Sequence, residues 1–490
     1  MAALDLGSNS FHLIIARVVD GSLQIIDRER EMVRLGGGLD EKNMLSAEAM
    51  ERAMDCLTRF GQLLRNMPQG TVRITGTNTL RKARNAHELI EHAEQALGHP
   101  VDIIAGVEEA RLIYLGVAHS LSDSGGQRLV VDIGGGSTEL ILGEGFTPNT
   151  MESLHMGCVS FSQRFFPNGD ITRKKLNKAR LAALQEMEPV ITRYRRLGWQ
   201  QAIGTSGTIR AVLSVVTAMG LCDDGISAAA LSQLVDKLAD YSHVDKLDLP
   251  GLSQERAPVF VGGAMVLLGV FEGLRIDQMT VSDGALREGL LYDLLGRIRD
   301  EDVRTRTVAS LLSRYQVDQV QAERVADTTS GFLAQLSEIW SLADDNLGHL
   351  LNWAAQLHEI GMDISHHHYQ KHGAYILNNA DMPGFSSQEQ AVMASLVLAQ
   401  RRKYPQAEFD ALPASWQKPL SRLSVLLRLA VVLHRGRSDD PLPDIRLNVT
   451  KRQLSLSFPA GWLDEHALTQ ADLEQEAAYL TKAGYTLKFK

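Results

Sequence analysis

The chain has only three cysteines in 490 residues, Cys56, Cys158 and Cys222. They lie far apart and in no metal-like spacing, so a disulfide scaffold is not expected and a reducing compartment fits. A membrane-length apolar run is missing as well. The longest uncharged stretch, between Arg256 and Glu272, is 15 residues with two central glycines and a proline, short of the ~20 that a spanning helix needs. It is expected to be a buried helix. The opening residues, Met1-Ala2-Ala3-Leu4-Asp5, carry no basic region and no apolar signal core. A cytoplasmic protein is the expectation, and membrane association at the periphery is not readable from the residues.

Excess positive charge is the next absence. Lys and Arg number 50 against 59 Asp and Glu, a net charge of −9, so a generally basic surface for nucleic acid is not indicated. One segment departs from this average. Between Arg401 and Arg437 stand eight basic residues (Arg401, Arg402, Lys403, Lys418, Arg422, Arg428, Arg435, Arg437) against Glu408 and Asp410. Either a polyanion is bound in one place or these are arginines on helix surfaces.

What is present points to several domains, since 490 residues at ~100 to 200 per domain exceed one compact core. With 44% hydrophobic and 22% charged residues the composition is that of ordinary globular domains.

The chain repeats its own opening. Asp5-Leu6-Gly7-Ser8-Asn9-Ser10-Phe11-His12-Leu13-Ile14-Ile15 matches Asp132-Ile133-Gly134-Gly135-Gly136-Ser137-Thr138-Glu139-Leu140-Ile141-Leu142 in chemical type at most positions. Each copy reads as strand, tight turn, strand. Such a turn gathers backbone N–H groups into one concavity where phosphate oxygens are bound, and its small residues allow close approach. The aspartate at each strand end then lies beside the phosphate, placed to hold a hydrated Mg²⁺. One such hairpin is weak evidence. Two copies 127 residues apart, with Asp at the same offset, imply duplicated lobes with two phosphate loops across one cleft. Gly204-Thr205-Ser206-Gly207-Thr208 and Ser282-Asp283-Gly284-Ala285 are further small-residue turns, each by itself better read as an ordinary strand-to-helix junction.

Two junctions lie between the hairpins. Val72-Arg73-Ile74-Thr75 leads through Gly76-Thr77-Asn78-Thr79 into a helix expected from about Leu80 to Leu97. Arg81 and Lys82 in its first turn would oppose the helix dipole, a local violation expected where Arg81 clamps a phosphate. Val101-Asp102-Ile103-Ile104 leads into a helix opening with Glu108 and Glu109. One first-turn carboxylate is good capping chemistry, and a second facing the cleft is placed to take a proton from an attacking water. Spacing alone does not choose between the two glutamates.

Asp5 to His12, Gly106-Val107-Glu108-Glu109-Ala110-Arg111 and Asp132 to Glu139 together resemble the exopolyphosphatase and guanosine pentaphosphate phosphohydrolase family. The resemblance continues through Met156-Gly157-Cys158-Val159-Ser160, Ser206-Gly207-Thr208, Ser282 to Gly289 and Leu357-His358-Glu359-Ile360-Gly361, and so covers essentially the whole chain. Ala16-Arg17-Val18-Val19-Asp20-Gly21, Ser160-Phe161 and Gly484-Tyr485-Thr486-Leu487-Lys488 make it most similar to the long, four-domain proteobacterial exopolyphosphatases.

The resemblance implies an α/β fold with two lobes of the actin, sugar-kinase and Hsp70 ATPase type, at residues 1–122 and 123–299. A degenerate HD-like helical domain at 300–438 and a small C-terminal α+β domain at 439–490 would follow. Glu109 matches the general base, and Arg81 the arginine on the terminal phosphate. Ser8, Asn9 and Ser10 match the first phosphate loop, and Gly134, Gly135, Gly136 and Ser137 the second. Asp132 and Glu139, with Asp5, match the acidic Mg²⁺ positions. Water would attack the terminal phosphoryl group of inorganic polyphosphate in line, with K⁺ as a stimulating ion and guanosine pentaphosphate as the alternative substrate. A homodimer is the family expectation.

The third domain has few metal ligands. Residues 301–348 contain no histidine, the dipeptide is His358-Glu359, and no aspartate stands near Arg428-Leu429-Ala430. A helical relic without its metal is expected. His366, His367, His368, Lys371 and His372, with Arg401, Arg402 and Lys403, are then read as a groove for a long polyphosphate chain, where many weak contacts retain the polymer after each cleavage, or as a mere surface cluster.

Overall fold

The structure is a computed structural model that describes residues 1–19, 22–121, 125–298, 302–342, 345–410, 412 and 414–490. Asp20 and Gly21, the expected lobe limit at Asp123-Ser124, and residues 299–301 lie outside the described residues. The chain forms two compact units, Met1–Asp302 and Val303–Lys490.

The first unit holds two sheets built on one plan. β1 (Ala2–Leu6) turns into antiparallel β2 (Phe11–Val19), which pairs with β3 (Ser22–Glu31), while β4 (Val72–Gly76) and β5 (Val101–Ile103) add in parallel. The order is β3-β2-β1-β4-β5. In the second sheet β6 (Gln127–Ile133) turns into β7 (Thr138–Glu144) and β8 (Thr147–Leu154), and β9 (Gln201–Thr205) and β11 (Gln278–Val281) add in parallel beyond it. The two-residue β10 (Ile226–Ser227) closes the order β10-β11-β9-β6-β7-β8. An antiparallel hairpin at the start and parallel strands on its other side make each sheet an actin-like lobe. The register sets Asp5 opposite His12 and Asp132 opposite Glu139.

Helices cover these sheets. α1 (Ala47–Leu64) starts at Ser46, whose hydroxyl accepts from Ala49 N, and buries Ala49, Ala53, Leu57, Phe60 and Leu64 at helical spacing. The single helix expected from Leu80 to Leu97 is two, α2 (Asn78–Lys82) and α3 (Ala86–Leu97). No Pro or Gly marks the break. Instead the buried Asn85 amide bonds both the N–H and the carbonyl of Leu45, 40 residues away, and pins the chain out of helix. Arg81 and Lys82 consequently end a short helix, where cations agree with the dipole, so the expected violation is absent.

α4 (Gly106–Ser120) follows β5, and α5 (Cys158–Phe165), α6 (Arg173–Leu197), α7 (Ser206–Ala218) and α8 (Ala228–Leu238) serve the second sheet. The apolar stretch after Arg256 forms α9 (Ala257–Leu274), 18 residues of mean hydropathy 1.8. By length and composition it is the one described helix able to cross a membrane, yet 78% of it is buried within the fold. α10 (Leu286–Ile298) crosses α4 where glycines meet: a Cβ on Gly289 would stand 1.8 Å from Leu112 O, and one on Gly116 2.0 Å from Ala285 O. That close crossing brings Asp293 between Arg73 and Arg111, which also binds Glu108 through two 2.8 Å bonds. Burial would raise the Asp293 pKa, but Arg111, Arg73 and Arg297 hold it well below the carboxylate range.

The second unit packs α11 (Val303–Arg314), α12 (Gln319–Leu336), α13 (Asp345–Gln356), α14 (Tyr369–Asn379), α15 (Ser387–Ala399), α16 (Gln406–Asp410) and α17 (Ala414–Leu433). β12 (Arg446–Thr450), β13 (Gln453–Ser457) and β14 (Thr486–Phe489) form a small sheet with α18 (Trp462–Glu465) and α19 (Ala467–Lys482). Leu454 and Leu456 alternate into the same apolar core that holds the helices.

The basic strip is not one surface. Arg428 is fully buried on Glu476, Arg435 pairs with Asp472, and Arg437 holds Glu359 through bonds of 2.6 and 2.7 Å. The helix-surface reading therefore fails for the buried Arg428, whereas Arg435 and Arg437 are exposed but paired with carboxylates, and Arg401, Arg402 and Lys403 are the strip's remaining cluster.

Candidate active site

The two Gly/Ser turns meet across one cavity of about 520 Å³ in the first unit. Asp5, Ser8, Asn9, Ser10, Glu109, Asp132, Gly134, Gly135 and Ser137 line it. Arg81, Gly136 and Glu139 are not among its lining residues. The loops touch: a Cβ on Gly135 would lie 2.8 Å from Ser8 Cβ, which is why this position has no side chain.

Each loop has its carbonyls bonded and its N–H groups left over. Ser8 O accepts from Gly36 N at 2.7 Å and Asn9 O from Arg34 N at 2.8 Å; Gly134 O and Gly135 O accept from Cys158 N and Val159 N at 3.0 and 2.8 Å. Among the described residues the N–H groups of Ser8, Asn9, Gly135 and Gly136 have no such partner. Unpaired amides at the mouth of a cavity are an anion cradle.

The fold separates the two glutamates. Glu108 turns inward to Arg111, whereas Glu109, on the next position of α4, lines the cavity. Arg81 Nη1 donates to Glu109 Oε2 at 2.9 Å and to Ile104 O at 2.7 Å. One carboxylate oxygen is thus anchored, and Oε1 is left for another donor.

Carboxylates accumulate on one side. Burial first, then Glu109, raises the Asp5 pKa to about 8 and the Asp132 pKa to about 7, against the pull of Arg287. Glu139 is pushed well above its usual range by burial, Glu109 and Asp132. Asp5 Oδ1 and Glu139 Oε2 are buried without a hydrogen-bond partner. Such a cluster calls for a cation to stay ionised. No three described His, Cys, Asp or Glu residues converge tightly enough to wrap a metal alone.

The same cavity is also lined by cations, and sequence reasoning missed them. Arg28, Arg30, Arg210, Arg256 and Arg287 line the cavity with Asn78. Arg210 and Arg287 were within reach, lying just after the Ser206-Gly207-Thr208 and Ser282-Asp283-Gly284-Ala285 turns. Arg28 and Arg30 on β3 and Arg256 before α9 carried no signal. A Cβ on Gly207 would stand 1.8 Å from Arg256 Nη2, so the guanidinium lies across the first turn of α7. Ser206, with φ 76, holds a left-handed backbone there while its hydroxyl donates to Ile133 O at 2.9 Å, local strain of about 1–3 kcal/mol of the kind concentrated at functional sites. Burial and the arginines Arg287, Arg30, Arg256 and Arg210 depress the His12 pKa to about 2.

In the second unit, a separate cavity of about 670 Å³ is lined by His366, Arg401 and Arg402 of the expected groove, with His358, Glu359 and Tyr369. His367, Lys371, Arg402 and His372 all lie near enough to His368 to lower its pKa, after burial. Lys403 is exposed beside them. The two sequence segments therefore come together.

Comparison with known proteins agrees with this arrangement. The sequence profile described as "Ppx/GppA phosphatase family" matches residues 14–298, and "Ppx/GppA phosphatase, domain III" matches residues 303–477. A Vibrio cholerae serotype O1 protein named "Guanosine-5'-triphosphate,3'-diphosphate pyrophosphatase" is 42% identical over 491 residues, covering 100% of this chain and 98% of the relative. A Vibrio vulnificus protein of the same name is 41% identical over 487 residues, covering 99% and 97%. Among solved structures, an exopolyphosphatase from Cytophaga hutchinsonii matches with TM-score 0.54 and 26% identity over 60% of this chain and 97% of that one. The Aquifex aeolicus member of the Ppx/GppA protein family matches with TM-score 0.51 and 26% identity, over 61% and 97%. Paired phosphate-type turns, a cavity-facing glutamate and full-length likeness converge, and the chain is a hydrolase belonging to the Ppx/GppA phosphatase family.

Proposed function

We propose that this chain hydrolyses the terminal phosphoanhydride of guanosine 5′-triphosphate 3′-diphosphate. Water attacks the terminal phosphorus, the bond to the bridging oxygen breaks, orthophosphate leaves and the tetraphosphate remains. The observation that carries the chemistry is Glu109, anchored by Arg81 through one oxygen with the other facing the cavity. Its free oxygen accepts the proton of the attacking water. The N–H groups of the two turns bind the phosphate oxygens, the arginines that line the cavity neutralise charge on them, and Arg81 holds Glu109 in place. Asp5, Asp132 and Glu139 would hold Mg²⁺, which when bound offsets charge on the transferring oxygens. Arg28, Arg30, Arg210, Arg256 and Arg287 give the cavity more positive charge than one phosphoryl group needs, which suits a substrate phosphorylated at both ends.

The sequence reading ranked polyphosphate first and the nucleotide second. Relatives that match over their whole length and carry the nucleotide in their name reverse that order. Polyphosphate hydrolysis stays as the second reading, favoured by the cavity of the second unit that His366, Arg401 and Arg402 line together with Arg435 and Arg437, although Glu359, Asp472 and Glu476 line it too. The test is orthophosphate release from the nucleotide and, separately, from long-chain polyphosphate, with Mg²⁺ and K⁺, for wild type and Glu109→Gln. A higher kcat/KM on the nucleotide that Glu109→Gln abolishes supports the proposal. Preference for polyphosphate reinstates the second reading, and Glu109-independent release removes Glu109 from its role.

A further inference from the structure

His12 stands on β2 directly opposite Asp5, between the first phosphate-type turn and α10. Its two ring nitrogens have different neighbours: Arg287 Nη1 lies 3.2 Å from Nδ1, and Ser10 Oγ lies 2.8 Å from Nε2. All three residues line the cavity. A guanidinium has only hydrogens to offer. Nδ1 therefore accepts, and cannot carry a proton of its own. A neutral imidazole must protonate one nitrogen, so the hydrogen is on Nε2 and points at Ser10 Oγ. A protonated ring would turn an N–H against the guanidinium.

We propose that His12 is a positioning residue that sets the polarity of the Ser10 hydroxyl, so that Ser10 donates into the cavity to a phosphate oxygen. Ser10 is buried, and among the described residues its hydroxyl has no other hydrogen-bond partner. With one lone pair occupied by the His12 N–H, its hydrogen has no acceptor in the protein and is left for the ligand. Without that N–H, Ser10 could donate to its neighbour and present only lone pairs, which repel an anion. Arg287 thus acts twice: directly as a cation on the cavity wall, and through the ring as the group that fixes the tautomer. The inference rests on the reading of residues 8–10 as a phosphate loop.

Two measurements test it on the full chain. Nitrogen-15 NMR of histidine-labelled protein at pH 7, with the His12 signals assigned from His12→Gln, is expected to show Nδ1 unprotonated and Nε2 protonated. An Nδ1–H tautomer overturns the proposal. The second is a kinetic cycle on whichever of the nucleotide and polyphosphate the wild type hydrolyses faster. Ser10→Ala and His12→Phe are each expected to lower kcat/KM about tenfold, the scale of one oriented hydrogen bond to a charged group. The double variant is expected to be no worse than either single one. His12→Gln, whose amide reproduces an acceptor and a donor at similar spacing, is expected to stay within about threefold of wild type. A multiplicative loss in the double variant, or His12→Gln as damaging as His12→Phe, overturns the proposal alone. An unchanged kcat/KM in Ser10→Ala overturns the phosphate-loop reading and the proposal with it.

Discussion

The hairpin at residues 5–12 and the hairpin at residues 132–139 share turn and register, yet their side chains do opposite electrostatic work. Opposite Asp5 stands His12, kept neutral by burial and then by arginines; opposite Asp132 stands Glu139, a third buried acid. A duplicated backbone supplies the same anion-binding amides twice, and single positions on the facing strands then divide the labour. The first hairpin sets its acid against a hydrogen-bonding ring, and the second sets its acid against another acid. Glu109, held by Arg81 from the segment between the hairpins, acts on the acids of both: it raises the pKa of Asp5, Asp132 and Glu139.

The comparison breaks most visibly at Glu109. Glu109→Gln is expected to lower kcat by about 10³-fold with KM little changed, the scale of a lost general base, measured by orthophosphate release. A KM effect alone would make Glu109 a binding group. Next in size, Asp132→Asn is expected to cost about 10²-fold in kcat/KM and to raise the Mg²⁺ concentration for half-maximal rate. Ser8→Ala in the first hairpin is expected to raise KM severalfold with the Mg²⁺ requirement unmoved. Equal shifts in Mg²⁺ requirement for both variants would erase the division of labour. A smaller effect is expected from replacing Arg401, Arg402 and Lys403 together with Gln: weaker binding of long polyphosphate by about threefold to tenfold, with hydrolysis of the nucleotide unchanged.

The smallest effect is on stability against pH. Asp5 and Asp132 bind protons more tightly folded than unfolded, so the metal-free protein loses stability as pH rises from about 4 towards 7 or 8. His12 works the other way. Its folded pKa lies below the ordinary 6.5, so stability falls as pH drops below that value. A metal-free Tm declining by a few degrees between pH 6.5 and 8 is expected, with Asp132→Asn or saturating Mg²⁺ flattening the decline. A Tm rising over that range would show these carboxylates to be ionised without a cation.

Much of this site was legible because the repeat is local. Asp5 to Ser10 and Asp132 to Ser137 are continuous segments whose residue types dictate a tight turn, and the structure sets all but Gly136 of the expected phosphate-loop residues on the cavity wall. Arg81 was singled out for a reason that fails, since it ends a helix instead of starting one. What exposed the error is Asn85 bonding Leu45, a contact between distant segments that no local pattern encodes. The basic strip misled in the same way: Arg428 reads as surface charge until Glu476, far along the chain, is brought to it in the core.

By itself the sequence determined the two Gly/Ser turns, the buried helix after Arg256, and the set of acids and bases from which the site is drawn, because these depend on residue type and spacing within a dozen positions. Only the tertiary structure decided that Glu109 faces the cavity while Glu108 is held by Arg111, that five arginines from four separate segments form its cationic wall, and that Arg287 dictates the His12 tautomer. Those outcomes rest on how α4 and α10 cross at Gly116 and Gly289 and on where each sheet sets its strand ends. Electrostatic fields and hydrogen-bond directions act through space, between residues that the chain itself keeps far apart.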